Sequence, residues 1–236
     1  VNQFYYYVIL SLLPILLIGI LDGITTIRVS IYFRLIAQIL SCWFVILISD
    51  IYIRDLGNLF GIGNIQLNEF GIPFTIFSVV GICNAFNMLD GKDGLAGSTS
   101  VIVIGSLLIL LFLNGTIFNL GLILIASILV FLAFNLNLFG FEKKIFLGDH
   151  GSTGLGYIIA WILIFLSQDQ ALLTPISAVW FIFLPLTDAL LTIYRRFIIK
   201  QSIFTSDTKH FHHILSAIGF SDSKILIIMI LISVLT

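Results

Sequence analysis

Charged residues are scarce in this sequence: 10% of the 236 residues are Asp, Glu, Lys or Arg, whereas 59% are hydrophobic. A soluble domain cannot bury so large an apolar fraction, so the chain is predicted to be a polytopic membrane protein in contact with the lipid bilayer. It also lacks a basic tract that could follow a phosphate backbone, so nucleic-acid binding is not expected.

Cysteine is equally scarce. Cys42 and Cys83 lie inside apolar runs and lack CxxC spacing. This pattern indicates neither a disulfide framework nor a zinc site, and both thiols are predicted to be packing residues. The sequence also lacks a cleavable signal peptide and begins with Val1 rather than methionine. We therefore expect a fragment, cut at both ends, in which residues 1–236 form a single integral-membrane domain.

Long apolar runs are abundant, and they predict seven spanning helices and the start of an eighth. Only helices and closed barrels satisfy their backbone hydrogen bonds in lipid, and none of the runs alternates with period two. The predicted fold class is therefore an all-α transmembrane bundle of about eight spans. The runs cover approximately 4–21, 35–48, 70–89, 98–113, 117–139, 153–166, 172–194 and 225–236.

Positive charge is distributed unevenly between the loops. If successive loops alternate across the membrane, ten of the eleven Lys and Arg residues fall on one side and only Arg54 on the other. The positive-inside rule places the richer side in the cytoplasm. Asp22, the polar segments 84–97 and 145–156, and all four histidines belong to that side. We therefore predict catalytic loops on the cytoplasmic face.

The segment NAFNMLDGKDGLAG, residues 84–97, is a polar cluster directly after an apolar run. A helix is predicted to end near Leu89, and the following glycines allow a turn that folds two aspartates back toward two asparagines. Such oxygen ligands suit Mg²⁺ or Mn²⁺ together with a phosphate. A plain turn between two membrane helices is the alternative. The four polar residues are Asn84, Asn87, Asp90 and Asp93.

The segment IFLGDHGSTGLG, residues 145–156, places Asp149 between two glycines. Ser152 or Thr153 is predicted to cap the helix that follows. Exposed backbone N–H groups around Gly151 and Ser152, together with the helix start, favour an anion beside a metal held by Asp149. The Walker A pattern GxxxxGK[ST] is absent. A plain glycine-rich connector is the alternative.

Two further carboxylates stand apart from these segments. Asp22 ends the first span and is either a boundary marker or a functional group. Asp188 lies inside an apolar run, where a charged carboxylate costs about 3 kcal/mol on insertion scales. For Asp188, a functional role and a structural ion pair are both alternatives. Its predicted partners are Arg195, Arg196 or a water-filled cleft.

The motif HFHH, residues 210–213, begins a predicted amphipathic helix at the membrane interface. His210 and His213 flank the apolar stripe, while His212 is predicted to point elsewhere. Phosphate binding by these imidazoles, with Arg195, Arg196 and Lys209 nearby in sequence, is favoured over zinc binding. The stripe consists of Phe211, Ile214, Leu215 and Ile218.

Four motifs occur together in the order and spacing of one known family: NAFNMLDGKDGLAG, IFLGDHGSTGLG, LPLTD and HFHH. That family is the polyprenyl-phosphate N-acetylhexosamine-1-phosphate transferases (glycosyltransferase family 4), which the chain resembles over essentially its whole length. The resemblance implies transfer of a sugar 1-phosphate from a UDP-N-acetylhexosamine to a lipid phosphate, with Mg²⁺ or Mn²⁺ and release of UMP. The bacterial members that it most resembles imply UDP-GlcNAc as donor, undecaprenyl phosphate as acceptor and the inner membrane as location. They also imply a place at the start of O-antigen, common-antigen or other envelope polysaccharide synthesis.

The resemblance also assigns roles to individual residues. Asp149 matches a direct metal ligand and Asn87 a second one, and Arg196 matches a basic residue that contacts phosphates. Asn84, Arg195, Lys209, Gly151 and Ser152 complete the predicted phosphate-binding set. The residues matching catalytic positions are Asp22, Asp90, Asp93, His210, His212 and His213.

Gly23 replaces the second of two adjacent aspartates in the family pattern. An inactive relative is therefore one alternative reading. A phospho-N-acetylmuramoyl-pentapeptide transferase is a second, although HFHH and the loop near Phe60 argue against it. A membrane transporter is a third, but its acids should lie near mid-span. A homodimer is left open.

Overall fold

The computed structural model describes residues 2–24, 29–61, 63–140, 144–201 and 210–236. Within these ranges the fold is all-α and contains no strand, only an isolated antiparallel bridge between Asp55 and Gln66. This confirms the predicted fold class. The helices are α1 (Asn2–Ile24), α2 (Ile31–Ser49), α3 (Gly71–Leu89), α4 (Leu95–Leu113), α5 (Asn119–Asn135), α6 (Gly148–Ile164), α7 (Pro175–Phe181), α8 (Phe183–Ile198), α9 (Phe211–Ala217) and α10 (Asp222–Leu235).

Five of the described helices are long and apolar enough to cross a membrane, and the count rises to six if α7 and α8 are one interrupted span. The chain is an integral membrane protein. The predicted number of about eight spans is not confirmed, although each apolar run contains a helix. The reason is length: α5 has 17 residues and α10 has 14, whereas a span needs about 20.

The chain divides into two compact units. The first unit consists of Val1–Asn84 and Asp149–Phe181, and the second of Ala85–Gly148 and Ile182–Thr236. The single domain predicted for residues 1–236 stays a prediction.

Aromatic packing joins α1 to α6 and its continuation in the first unit. The rings of Phe4 and Phe165 stack with centroids 4.6 Å apart. The hydroxyl oxygens of Tyr157 and Ser11 are 2.8 Å apart and form a hydrogen bond. Cys42 and Cys83 are fully buried free thiols, which confirms their prediction as packing residues. The ring and hydroxyl contacts pack α1 against α6 and its continuation.

Apolar side chains from five helices, α3, α4, α8, α9 and α10, form the core of the second unit. The buried members of this cluster are Leu89, Leu95, Leu184, Leu215, Ile225 and Met229. They tie the α3–α4 turn to the short helix α9, because Leu89 and Leu95 flank that turn and Leu215 belongs to α9. The core therefore places two of the predicted motifs side by side.

The helix ends near the polar motifs agree with prediction in one case and differ in the other. α3 ends at Leu89 as predicted, and Gly94 has a φ of +75° directly before α4. The predicted cap at Ser152 or Thr153 is wrong, because α6 already begins at Gly148 and both residues lie inside the helix. Gly148 takes a φ of +71°, so a single glycine makes the turn into α6.

Candidate functional site

A guanidinium group joins the two predicted active-site carboxylates of the first unit. Arg34 Nη2 donates a hydrogen bond to Asp22 Oδ2, and Nη1 donates one to Asp149 Oδ2. The planar fork of arginine suits this double contact, in which one cation offsets two negative charges. The Asp149 side chain remains 58% exposed, whereas those of Asp22 and Arg34 are 23% and 28% exposed. This carboxylate pair therefore faces solvent mainly through Asp149.

Each of the three residues lies near a helix end. Asp22 lies in the last turn of α1 and accepts a hydrogen bond from Val29 N–H. Arg34 lies in the first turn of α2, whose N-cap Ser30 accepts from Tyr32 N–H. Asp149 lies in the first turn of α6, where the helix dipole favours a negative charge. The helix ends thus bring together side chains that are far apart in sequence.

A small cleft opens beside Arg34. Gln38 and Thr153 line it together with Gly19 and His150. A Cβ atom on Gly19 would lie 2.0 Å from Cβ of His150, so only glycine leaves space for this histidine. Asn84, predicted to bind phosphate, donates hydrogen bonds to Gln38 Oε1 (3.1 Å) and Val80 O (2.7 Å). Both of its amide hydrogens are therefore engaged within the first unit.

Buried Asn135 holds the turn between α3 and α4 to the segment before α6. Its Oδ1 accepts a hydrogen bond from Gly94 N–H (2.6 Å), and its Nδ2 donates one to Ile145 O (2.8 Å). Lys144 forms an ion pair with Asp93 across the same gap. Asp93 is thus paired with a lysine, and the two glycine-containing segments are tied together inside the second unit.

The three histidines form one cluster in the second unit. The ring centroids of His210 and His212 are 5.7 Å apart, and those of His212 and His213 are 4.2 Å apart. The prediction that His212 points away from the other two is wrong. His210 precedes α9 with extended backbone angles, so helical spacing does not apply to it. The predicted short helix itself is confirmed.

Asp188 belongs to this cluster. His210 Nδ1 lies 3.1 Å from Asp188 Oδ2, and Phe211 N–H donates to Asp188 Oδ1 at 2.8 Å. The structure thus gives this buried carboxylate partners in HFHH, whereas the sequence predicted Arg195, Arg196 or a water-filled cleft. Both arginines lie in the last turn of α8, and Arg196 is buried.

His212 is the most enclosed member of the cluster. It is 0% exposed, and neither ring nitrogen has a hydrogen-bond partner. A Cβ atom on Gly91 would lie 2.4 Å from its Nε2, so the ring rests on the turn after α3. Burial, assisted by the charge of His213, lowers the pKa of His212 from 6.5 to about 4. At neutral pH this imidazole is therefore uncharged, and one N–H and one lone pair await a polar partner.

The other predicted site residues fall into three groups. Asn87 lies in the last turn of α3 and Asp90 begins the turn that follows, both in the second unit. Gly151 and Ser152 lie in α6, where the Ser152 hydroxyl donates to Asp149 O at 3.3 Å. Lys209 lies outside the described residues. Because Asn87 and Asp149 belong to different units, their predicted sharing of one metal ion stays a prediction.

Sequence reasoning missed Arg34, Asn135 and Lys144 as candidates. In the sequence analysis Arg34 was counted only as one of the ten positive charges assigned to the cytoplasmic side. A signal existed for Asn135, because it is one of two asparagines near the end of an apolar run. No local pattern points to Lys144, whose ion pair joins positions 51 residues apart.

The first unit offers a divalent cation one well-exposed carboxylate, that of Asp149. Asp22 and Asp149 share one guanidinium, so the three groups keep one net negative charge, and Asp149 is the more exposed carboxylate. Carboxylate oxygens are the ligands that Mg²⁺ and Mn²⁺ prefer. Among the residues that the structure describes, no cluster of three or more His, Cys, Asp or Glu is arranged to hold a metal. A cation here would therefore need amide or phosphate oxygens as further ligands.

Comparison with known proteins gives one family and several relatives. The sequence model described as Glycosyl transferase family 4 matches residues 5–167. The chain is 36% identical over 222 residues to the undecaprenyl-phosphate alpha-N-acetylglucosaminyl 1-phosphate transferase of Yersinia pestis, covering 92% of this chain and 60% of that protein. The proteins of the same name from Escherichia coli (strain K12) and Haemophilus influenzae are each 34% identical, over 79% and 97% of this chain. The chain spans 52% and 65% of their lengths.

Proposed function

The chain belongs to glycosyl transferase family 4, and from this we propose that it forms the core of an enzyme that transfers N-acetylglucosamine 1-phosphate from UDP-GlcNAc to undecaprenyl phosphate. The products are undecaprenyl-diphospho-GlcNAc and UMP. This reaction begins the membrane steps of an envelope polysaccharide such as O-antigen or common antigen. The names of the relatives support the acceptor and the transferred group.

The contact of Arg34 with Asp22 and Asp149 is the observation that carries the proposal. It places a cation and two carboxylates together at the ends of membrane helices, where a lipid phosphate group meets water. Arginine binds phosphate through the same fork with which it binds carboxylates. We assign Arg34 the role of receiving the phosphate of the acceptor lipid, a role that the sequence alone did not identify.

A divalent cation belongs to the proposal as a cofactor. Asp149 is the proposed ligand in the first unit, and Asn87 is kept as the second proposed ligand. Bound Mg²⁺ or Mn²⁺ would offset the negative charge of the donor diphosphate. Arg34 would then offset the negative charges of Asp22 and the acceptor phosphate, so that the two anionic substrates can approach each other.

The proposed reaction needs no covalent enzyme intermediate. A phosphate oxygen of the acceptor forms a bond to the β-phosphorus of UDP-GlcNAc, and the bond from that phosphorus to the bridging oxygen of UMP breaks. A phosphate monoester has a second pKa near 6, so the attacking group is already largely dianionic at neutral pH. Asp22 therefore orients Arg34 and the acceptor instead of removing a proton.

The second unit supplies the proposed donor site. Asp90 and Asp93 with the imidazoles of His210, His212 and His213 would contact the nucleotide and the diphosphate. The unpartnered ring nitrogens of His212 support this assignment, because a buried imidazole without a hydrogen bond gains one when a polar ligand enters. The remaining phosphate contacts are proposed for Asn84, Arg195, Arg196, Lys209, Gly151 and Ser152.

The proposed location is the bacterial inner membrane with these loops in the cytoplasm, where UDP-sugars occur. The uneven distribution of Lys and Arg supports this orientation, since ten of the eleven fall on the side of Asp22 and the histidines. Reaction of impermeant thiol reagents with single cysteines at Lys92 and Arg54 would test it. Labelling of Lys92→Cys from outside intact cells would contradict the orientation.

A transfer assay tests the function. Membranes containing the gene product that includes this chain are incubated with radiolabelled UDP-GlcNAc, undecaprenyl phosphate and Mg²⁺, and lipid-linked label and UMP are measured. We expect label in the lipid fraction, UMP in equal amount, and a strong decrease of both in Asp149→Asn at the same Mg²⁺ concentration. UDP-GalNAc in parallel distinguishes the donor sugars. Absence of product with both donors would overturn the proposal.

A further inference from the structure

Asp188 is a buried carboxylate for which the proposed reaction has no use. It lies in α8, is 5% exposed, and belongs to an apolar stretch of the chain. An ionised carboxylate in such a place is costly unless hydrogen bonds satisfy it. Its two oxygens each have a partner in HFHH, one being the His210 ring and the other the Phe211 backbone. The partners of Asp188 therefore locate its role in the histidine cluster.

The contact of Asp188 with Phe211 determines how the short helix α9 begins. The His210 side chain, at the N-cap position, makes no capping hydrogen bond of its own. Asp188 Oδ1 accepts the Phe211 N–H at 2.8 Å and so supplies a cap from a different helix. His212 and His213 occupy the first turn of α9. The direction in which both side chains leave the backbone thus depends on Asp188.

The contact with His210 determines the proton position on that ring. A carboxylate only accepts hydrogen bonds, so the nitrogen facing it, Nδ1, must carry the hydrogen. Thr192 Oγ1 lies 3.3 Å from the same nitrogen and can accept from it as well. His210 is 6% exposed, so water cannot easily provide a substitute partner. Nε2 is then the ring nitrogen left to exchange a proton or hydrogen bond with a ligand.

From these contacts we propose that Asp188 is a positioning residue: it selects the Nδ1–H tautomer of His210 and caps α9, and so holds the three histidines in one arrangement for the phosphate groups of the donor. The function of that arrangement rests on the proposed transferase activity. The tautomer and the cap themselves do not, because they follow from the contacts of Asp188 alone. A carboxylate that orients a functional histidine through its other ring nitrogen is a general device in enzymes.

Imidazole ¹⁵N NMR of histidine-labelled protein tests the tautomer without any substrate. The spectrum of His210, assigned by its loss in His210→Gln, is expected to show a protonated Nδ1 and an unprotonated Nε2 at pH 8. In Asp188→Asn the amide can still accept from Phe211 N–H, but its NH₂ group can also donate to Nδ1. We expect this variant to show the Nε2–H form or a mixture. A wild-type His210 in the Nε2–H form would overturn the proposal.

Steady-state kinetics test the functional consequence. Asp188→Asn is expected to lower kcat about tenfold or more, because a small misplacement of groups that contact the reacting phosphates is costly, while KM for UDP-GlcNAc changes less than about threefold. Asp188→Glu, which keeps a charged acceptor, should recover part of kcat. Thr187→Val is the matched control, because Thr187 lies on the same helix and its hydroxyl bonds only to Phe183 O and Leu184 O.

The outcomes separate positioning from folding and from the proposed function. Wild-type kcat in Asp188→Asn, or equal loss in Asp188→Glu and Asp188→Asn with unchanged ¹⁵N signals, would contradict positioning. If Asp188→Asn does not fold, the wild-type ¹⁵N spectrum and the kcat of Asp188→Glu still test whether Asp188 positions the histidines. If the spectra agree with expectation but wild-type protein transfers no sugar phosphate, the transferase proposal fails and the role of Asp188 in the cluster stands.

Discussion

At the scale of single residues, the structure gives Arg34 a larger role than its sequence context does. One guanidinium contacts Asp22 and Asp149, two carboxylates that are 127 positions apart in the chain. Lysine carries the same charge but cannot contact two carboxylates through a planar fork. The identity of this residue, and not only its charge, therefore matters.

We expect Arg34→Lys and Arg34→Gln to lower kcat/KM for undecaprenyl phosphate, the second more than the first. Loss of a hydrogen bond to a charged group costs roughly 1.5–3 kcal/mol, so the reduction in Arg34→Gln should be about tenfold or more. Arg54→Gln is the control, because Arg54 forms an exposed ion pair with Asp50 that contributes little. Equal kcat/KM in Arg34→Gln and wild type would exclude the assigned role.

Gly91 is a second residue whose identity the structure explains. Alanine here would place Cβ 2.4 Å from Nε2 of His212, a ring that is fully buried and has little space to move. We expect Gly91→Ala to lower the free energy of unfolding by about 1–3 kcal/mol through overpacking, and to lower transfer activity. Gly81→Ala is the matched control, since nothing lies within 4 Å of its Cβ position. Unchanged unfolding of Gly91→Ala in detergent would refute the contact.

His212 makes the stability of the protein depend on pH. Its pKa is lowered to about 4 by burial, whereas an unfolded histidine titrates near 6.5. The unfolded chain therefore binds the extra proton first, and the contribution of His212 is fully present above pH 6.5 and is lost as the pH falls toward 4. We expect the thermal unfolding midpoint to fall more steeply over this interval in wild type than in His212→Phe. Parallel pH profiles would show that His212 does not titrate in this way.

At the scale of helices and turns, Asn135 connects two motifs that the sequence presents separately. It satisfies the backbone N–H of Gly94 and the carbonyl of Ile145, and Lys144 pairs with Asp93 beside it. The turn after α3 and the segment leading to α6 therefore have a common support. A change at this support affects both segments at once.

Asn135→Leu is expected to destabilise the protein by about 2 kcal/mol, because it leaves the buried N–H of Gly94 and the partly buried carbonyl of Ile145 without these partners. Transfer activity should fall as well, since both segments carry proposed site residues. Asn114→Leu is the control: Asn114 is exposed at the C-cap of α4, and its side chain donates to Leu110 O in that helix. Thermal unfolding of both variants in detergent measures the difference. Equal midpoints would show that the Asn135 hydrogen bonds contribute little.

Prediction of these elements from sequence succeeded where apolar runs are long. The end of α3 at Leu89 follows from the change to polar residues, and every apolar run contains a helix. The start of α6 was misplaced because glycines at 151, 154 and 156 read as a loop. In a membrane protein such glycines are tolerated inside helices, where they permit close packing. Gly154 lies against Leu12 and Leu16 of α1.

At the scale of the whole molecule, metal dependence tests the proposed site. Asn87 and Asp149 belong to different compact units, so only a functional measurement addresses them together. We expect EDTA to abolish transfer and added Mg²⁺ or Mn²⁺ to restore it. Asn87→Ala and Asp149→Asn should both require more metal for half-maximal activity. Asp50→Asn, which changes an exposed carboxylate paired with Arg54, should behave as wild type. Full activity in EDTA would refute the cofactor.

The sequence by itself determined that this chain is an all-α membrane protein and which polar motifs it carries. Both follow from local information: apolar runs must become helices in lipid, and the spacing within a motif is a property of neighbouring residues. Only the tertiary structure decided which side chains meet. Asp188 contacts the His210 ring and the Phe211 backbone, whereas the sequence predicted the arginines two turns along its helix or a water-filled cleft as its partners. Arg34 joins Asp22 to Asp149. Such contacts depend on how helices pack, and the periodicity of a sequence contains no record of which helix ends become neighbours.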